Sequence, residues 1–225
     1  MPFQPFDEHR AVRVYVRNLP HWRQEGATYF VTFRLGDSIP ANVLRQWEYE
    51  KQKWLAARGI ECGQGDDWKT QVGNLTAREQ FLFHKHFNRL FHISLDQCQG
   101  ACLLRHSDCV REVRSKLREI DATTCEVGDF VVMPNHVHVL LTPWPGQKLE
   151  SVMKAIKGAT ARKCNALLNR TGSFWQADSY DHIVRSLEQL QWYRGYIAAN
   201  PEKAGVAVPD DGAYRAEWMD EWFKP

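Results

Sequence analysis

The stretch Pro134-Asn135-His136-Val137-His138-Val139-Leu140-Leu141, preceded by Phe130-Val131-Val132-Met133, decides how this chain is read. Two apolar runs meet at Pro134-Asn135, a turn-forming pair, which predicts two strands joined there. Alternate side chains of a strand share a face, so His136 and His138 point one way and Val137 and Val139 the other. Two imidazoles on one exposed face, backed by an apolar face, form a rigid half-site for a divalent metal. Taken alone, the pair also suits an ordinary half-buried strand with packing histidines.

Around this hairpin the chain alternates strands and helices. Thr28-Tyr29-Phe30-Val31-Thr32-Phe33-Arg34-Leu35 is β-branched and aromatic and stops at Gly36-Asp37, which predicts a first strand. A helix is expected from Asn42 to Arg58, carrying Val43, Leu44, Trp47, Trp54 and Leu55, and then a loop over 59–74. Thr76 with Glu79 forms a capping box for a helix carrying Phe83, Phe87, Leu90 and Phe91. Val110, Val113, Leu117 and Ile120 predict another helix, starting near Ser107-Asp108.

Beyond the hairpin, a helix over about 148–169 turns Leu149, Val152, Met153, Ile156, Leu167 and Leu168 inward. Its other faces carry Lys154, Lys157, Arg162 and Lys163, a basic flank suited to phosphate. Ser186 with Gln189 opens a last helix that Pro201 should end at Asn200. Tyr196 and Asn200, four apart, share one face of it. His84-Lys85-His86 repeats the one-residue spacing, but in a helical pattern, where the two rings diverge.

Composition narrows the classes. A chain of 225 residues with 44% hydrophobic content can bury a core. No apolar run approaches the roughly 20 residues of a membrane span. The start of the chain lacks a basic n-region and an apolar h-region, and the six cysteines include no Cys-x-x-Cys. Reduced thiols and a cytoplasmic location are therefore expected. Cys98, Cys102, His106 and Cys109 do not fit a common zinc-knuckle spacing. The net charge of +2 does not by itself argue for nucleic acid, so any polyanion site must come from local clustering. Nine tryptophans offer stacking faces, though most should serve packing.

Val132-Met133-Pro134-Asn135-His136-Val137-His138-Val139-Leu140, followed by Tyr196-Ile197-Ala198-Ala199-Asn200-Pro201-Glu202-Lys203-Ala204-Gly205, resembles the REP-associated tyrosine transposases. These are single-tyrosine members of the HUH class of bacterial insertion sequences. The likeness extends to Tyr29–Arg34, to Lys157-Gly158-Ala159-Thr160-Ala161-Arg162-Lys163 and to Phe174-Trp175-Gln176. It implies an α+β fold with a ferredoxin-like antiparallel sheet, the histidines on a central strand and helices on one face. A transposase domain would span 1–206, with a helical insertion at about 41–93 and a C-terminal tail at 207–225.

The resemblance further implies His136, His138 and Asn200 as ligands of Mg²⁺ or Mn²⁺, and Tyr196 as a nucleophile forming a 5′-phosphotyrosine. Spacing alone also admits Tyr193 and Tyr180 as nucleophiles. The implied partner is single-stranded DNA with palindromic hairpins, contacted by Trp144, Lys154, Lys157, Arg162, Lys163 and Trp175. The protein would act as a monomer or a homodimer. Ala198-Ala199 departs from the bulkier or polar residues common in relatives. Two rival readings are a hairpin-binding descendant without turnover and an unrelated metal hydrolase. For the latter, too few residues follow His138 to build a barrel of about 250 residues.

Overall fold

The computed structural model describes residues 3–16, 20–61 and 68–223. In chain order the strands are β1 (Arg13–Val16), β2 (Pro20–Arg23), β3 (Tyr29–Arg34), β4 (Cys125–Val132), β5 (His136–Pro143), β6 (Tyr180–Ile183) and β7 (Ala213–Tyr214). The helices are α1 (Ala41–Ala56), α2 (Trp68–Gly73), α3 (Ala77–Asp96), α4 (Ser107–Ile120), α5 (Leu149–Leu167) and α6 (Leu187–Lys203). Within the loop expected over 59–74, Trp68–Gly73 is a short helix; residues 62–67, Cys62 among them, lie outside the described residues. The five described cysteines, Cys98, Cys102, Cys109, Cys125 and Cys164, are free thiols.

The fold is α+β. Five antiparallel strands run in the order β6-β3-β5-β4-β7, which puts the histidine strand at the centre. The turn at Pro134-Asn135 is closed by the Met133 amide donating to the His136 carbonyl at 2.8 Å. Period-two alternation then sorts β5. Val137, Val139 and Leu141 pack with Val110, Val113 and Leu117 of α4 and Val152 and Ile156 of α5. Leu140 packs on the opposite face with Leu190, Tyr193 and Ile197 of α6. Helices thus cover both faces of the sheet rather than the one face expected. The reason is that β3, β4 and β5 are buried on both sides, wholly apolar towards α4 and α5 and mixed apolar and polar towards α6.

The α4 stripe is buried as its spacing predicts, each side chain contributing about 1.5–3 kcal/mol. In contrast, α1 buries only Leu55, and Leu44 and Leu167 stay exposed. Leu55 joins Val72, Phe83 and Phe87 in a small separate core, so α1, α2 and the first half of α3 form a satellite. The Thr76 capping box is complete. At α6 it is half-formed: Ser186 accepts from the Gln189 amide, but the Gln189 side chain accepts from the Arg185 amide.

Two expectations about the C-terminal part are corrected. Helix α6 runs through Pro201 to Lys203 instead of ending at Asn200. Proline removes one backbone donor, and the last turn is held by Ala204 and Val206 amides donating to the Asn200 and Pro201 carbonyls, each at 3.0 Å. The segment after 206 is not a mere tail. It supplies β7, paired with β4, and buries Ala216 and Met219 against α6.

A β-bulge between Val127 and Phe130 fixes where α6 lies. It turns Asp129 inward, where Arg194 donates to its Oδ2 at 2.9 Å. A Cβ at Gly128 in the same bulge would meet Met219 Sδ at 2.8 Å and Leu140 Cβ at 3.0 Å, so glycine lets Met219 of the C-terminal segment pack against the bulge without shifting.

Candidate active site

Four residues singled out in the sequence converge on the α6 side of the sheet. The imidazoles of His136 and His138 are fully buried, and their Nε2 atoms lie 2.9 Å apart. The expected exposed face is corrected here: both rings are buried, and His92 of α3 and Tyr196 of α6 pack against His138. Tyr196 sets its ring 5.2 Å from that of His138. Asn200, one turn further along α6, is fully buried.

Each ring is oriented by a partner outside the motif. Asn135 Nδ2 donates to the carbonyls of Leu95 and Gln99, both at 3.3 Å, so its Oδ1 can only accept. That oxygen lies 2.7 Å from His136 Nδ1, which must therefore carry the proton. Burial, followed by the neighbouring His92, holds the His136 pKa down to about 3, so the ring is neutral and its Nε2 is a bare lone pair. Thr32 Oγ1 sits 2.7 Å from His138 Nδ1, with Thr32 and His138 in register across β3 and β5. His138 is likewise held well below its ordinary value, first by burial and then by His136. Phe30 stacks on His138 at 5.3 Å and 23°, fixing the plane of the ring.

These donors fit a divalent cation. Two ligands about 2.1 Å from an octahedral ion, at right angles, are about 3 Å apart, close to the observed Nε2 separation. Asn200 offers a third donor, an oxygen. Its Nδ2 donates to Asp96 Oδ1 at 3.2 Å, which leaves Oδ1 buried without a hydrogen-bond partner. An orphaned buried carbonyl oxygen costs about 1–3 kcal/mol unless a cation or donor meets it. Among the described residues, no three His, Cys, Asp or Glu side chains gather into a metal-binding group, here or elsewhere, so the amide oxygen of Asn200 would have to complete the set.

The competing tyrosines part company. Tyr193 is buried and stacks on Phe30 at 4.2 Å, as core packing. Tyr180 points its hydroxyl at Asn88 Nδ2, 3.3 Å away. Only Tyr196 of the three brings its ring against His138 and its hydroxyl to His92 Nδ1, 3.3 Å distant. Burial, then Asp96 and Tyr180, raises the Tyr196 phenol above its ordinary pKa, so ionising it requires a nearby positive charge.

The expected DNA contacts lie elsewhere. Lys154, Lys157, Arg162 and Lys163 ride on α5, across the sheet from the histidines. Lys154 and Arg162 are exposed; Lys157 donates to the Ala177 carbonyl at 2.6 Å, and Lys163 pairs with Glu112 at 2.7 Å. Lys154 and Lys157 line a groove of about 540 Å³ between α5 and residues 172–181. Trp144 is half-buried at the end of β5.

Trp175 is corrected as a stacking platform. It is 5% exposed, lies edge-on to Phe33 and donates Nε1 to Thr160 Oγ1 at 2.9 Å, so no base can reach its face. The exposed aromatic at the site is instead Trp192, 61% exposed and stacked on Tyr196 at 5.5 Å and 14°. Its position four residues before Tyr196 was the available signal. His92, Asp96 and Thr32 carried no such local mark.

Parts of the chain are similar to known proteins. The family described as "Transposase IS200 like" matches residues 101–200. The ISDra2 transposase TnpA of Deinococcus radiodurans is 44% identical over 64 residues, covering 26% of this chain and 46% of that protein. The chain thus spans about half the length of that curated relative. Among solved structures, a REP-associated tyrosine transposase bound to a REP hairpin aligns over 85% of this chain and 76% of its own, with a TM-score of 0.44 and 16% identity. The matched stretch, residues 101–200, includes both histidines, Tyr196 and Asn200, and is similar to the IS200-like transposase family.

Proposed function

We propose that the chain nicks and rejoins single-stranded DNA near palindromic hairpins through a covalent tyrosine intermediate. The observation that carries this is the convergence of the Tyr196 ring, the two facing Nε2 atoms and the orphaned Asn200 oxygen on one side of the sheet. His136, His138 and Asn200 would hold Mg²⁺ or Mn²⁺, which when bound polarises a phosphate oxygen and favours phenolate character nearby.

The chain's own residues do the rest. The Tyr196 oxygen attacks phosphorus, the bond from phosphorus to the 3′ oxygen breaks, and a 5′-phosphotyrosine and a free 3′-hydroxyl result. The ester energy is kept, so a second 3′-hydroxyl can reverse the step at a new junction. Trp192 offers its open face to an unpaired base beside the scissile phosphate, worth about 1–3 kcal/mol. Lys154, Lys157, Arg162 and Lys163 of α5, together with Trp144 at the end of β5, would receive the hairpin. A cytoplasmic location and action as a monomer or homodimer complete the reading.

The test is incubation of labelled hairpin-bearing single strands with protein and Mn²⁺. A denaturant-resistant adduct on Tyr196, absent from Tyr196→Phe, is expected. Hairpin binding with no adduct would establish the binding-only alternative instead, and a phosphotyrosine on Tyr193 or Tyr180 would move the site.

A further inference from the structure

Helix α3 reaches the site from the segment read as an insertion, and it meets α6 in two matched contacts. His92 Nδ1 lies 3.3 Å from the Tyr196 hydroxyl, and Asp96 Oδ1 accepts from Asn200 Nδ2 at 3.2 Å. Both contacts span 104 residues. Residues four apart on α3 therefore face residues four apart on α6, with the helices running side by side in the same direction. A third link joins the pairs: Asp96 Oδ2 is 3.5 Å from Lys203 Nζ, which lies 5.5 Å from the centre of the Tyr196 ring.

The end of α3 is itself anchored. Asn135, which orients His136, donates to the Leu95 and Gln99 carbonyls at the C-terminus of α3. Just beyond, the Ala101 amide donates to Asp37 Oδ2 at 2.7 Å. Gly100 has φ of +89°, and a Cβ there would stand 2.5 Å from the Asp37 carbonyl oxygen. Helix α3 is thus tied to the ends of the two central strands while it touches both reactive positions of α6.

We infer that His92 and Asp96 are positioning residues for Tyr196 and Asn200; the inference rests on the proposed roles of those two. A carboxylate can only accept, so Asp96 dictates that the Asn200 amide presents its nitrogen to α3, which leaves its oxygen on the other side of the amide, buried and without a hydrogen-bond partner. Were the amide free to flip, an N–H would point where a ligand oxygen is needed. With Nδ1 3.3 Å from the Tyr196 hydroxyl, His92 in the tautomer that leaves Nδ1 unprotonated accepts the hydroxyl hydrogen and so fixes the rotor of the nucleophile.

Three variants in the full chain test this against the wild type: Asp96→Ala, His92→Phe and His92→Asn. Mn²⁺ affinity, metal-free hairpin affinity and adduct rate are measured for each. Asp96→Ala should weaken Mn²⁺ binding 10- to 100-fold, as loss of a ligand's orienting partner does, with hairpin affinity unchanged. His92→Phe keeps a ring but loses the acceptor, and should slow adduct formation about 10-fold with Mn²⁺ and hairpin affinities intact. His92→Asn, which restores an acceptor near the Nδ1 position, should recover most of that rate.

Unchanged Mn²⁺ affinity in Asp96→Ala, or equal rates in the two His92 variants, overturns the inference while leaving the proposed function standing. A loss of thermal stability shared by all three variants, with rates falling in proportion, assigns α3 a packing role only and also overturns it. Failure of the wild type to bind Mn²⁺ or form an adduct refutes the proposed function and removes this inference with it.

Discussion

Replacing Arg194 with Met should cost the protein about 3–5 kcal/mol. The guanidinium side chain is 4% exposed and the Asp129 carboxylate 3%. Arg194 also donates to Asp220 Oδ1 at 2.7 Å and to the Ala216 carbonyl at 3.2 Å. Methionine keeps the aliphatic stem and removes every donor, leaving Asp129 with the Ala216 amide alone, at 2.8 Å. Breaking one side of a buried pair costs about 3–5 kcal/mol because a charge stays buried without its partner. A second route gives a similar size: protonating an aspartate at pH 7, from a reference pKa of about 3.9, costs about 4 kcal/mol.

For a chain of this length each kcal/mol lowers Tm by about 2–4 °C, so the variant should melt about 6–20 °C lower. Calorimetry and urea titration, with Arg194→Met/Asp129→Leu as the companion, provide the assay. The double variant should regain most of the loss, since a matched apolar pair replaces the ion pair. A Tm shift under about 2 °C, or a double variant as weak as the single one, would refute the claim that this clamp fixes α6 on the β4 bulge.

Three further outcomes are expected. His136→Gln and His138→Gln, which avoid the cavity alanine would leave, should each abolish Mn²⁺-dependent adduct formation; nicking at the wild-type rate in chelator would exclude the metal role. His182 is held near pKa 4 by burial and then Arg185, below its unfolded value of about 6.5, so the unfolded state takes up the proton first as pH falls. Stability from this group is complete above pH 6.5 and declines towards pH 4, by up to about 2 kcal/mol at pH 5, and His182→Gln should show a correspondingly shallower acid loss in urea midpoints. Lys154→Ala/Arg162→Ala should reduce the slope of log hairpin affinity against log salt by about 2, whereas an unchanged slope would remove α5 from the DNA path.

What the chain determined locally was decided by short-range rules. The alternation in 136–141 set which face of β5 carries the histidines, the α4 stripe predicted its own burial, and the four-residue offset put Tyr196 and Asn200 on one side of α6. Tertiary structure settled what those rules do not encode. Trp175 became core because β3 passes beneath it, and Trp192 became the open face because α6 turns it outward. Pro201 stayed helical once the Ala204 and Val206 amides held the last turn. Thr32, His92 and Asp96 meet their partners across 106, 104 and 104 residues, where no periodicity in the sequence reaches. Side-chain period fixes direction within an element, while contact between elements depends on strand register and helix docking, which only the folded chain supplies.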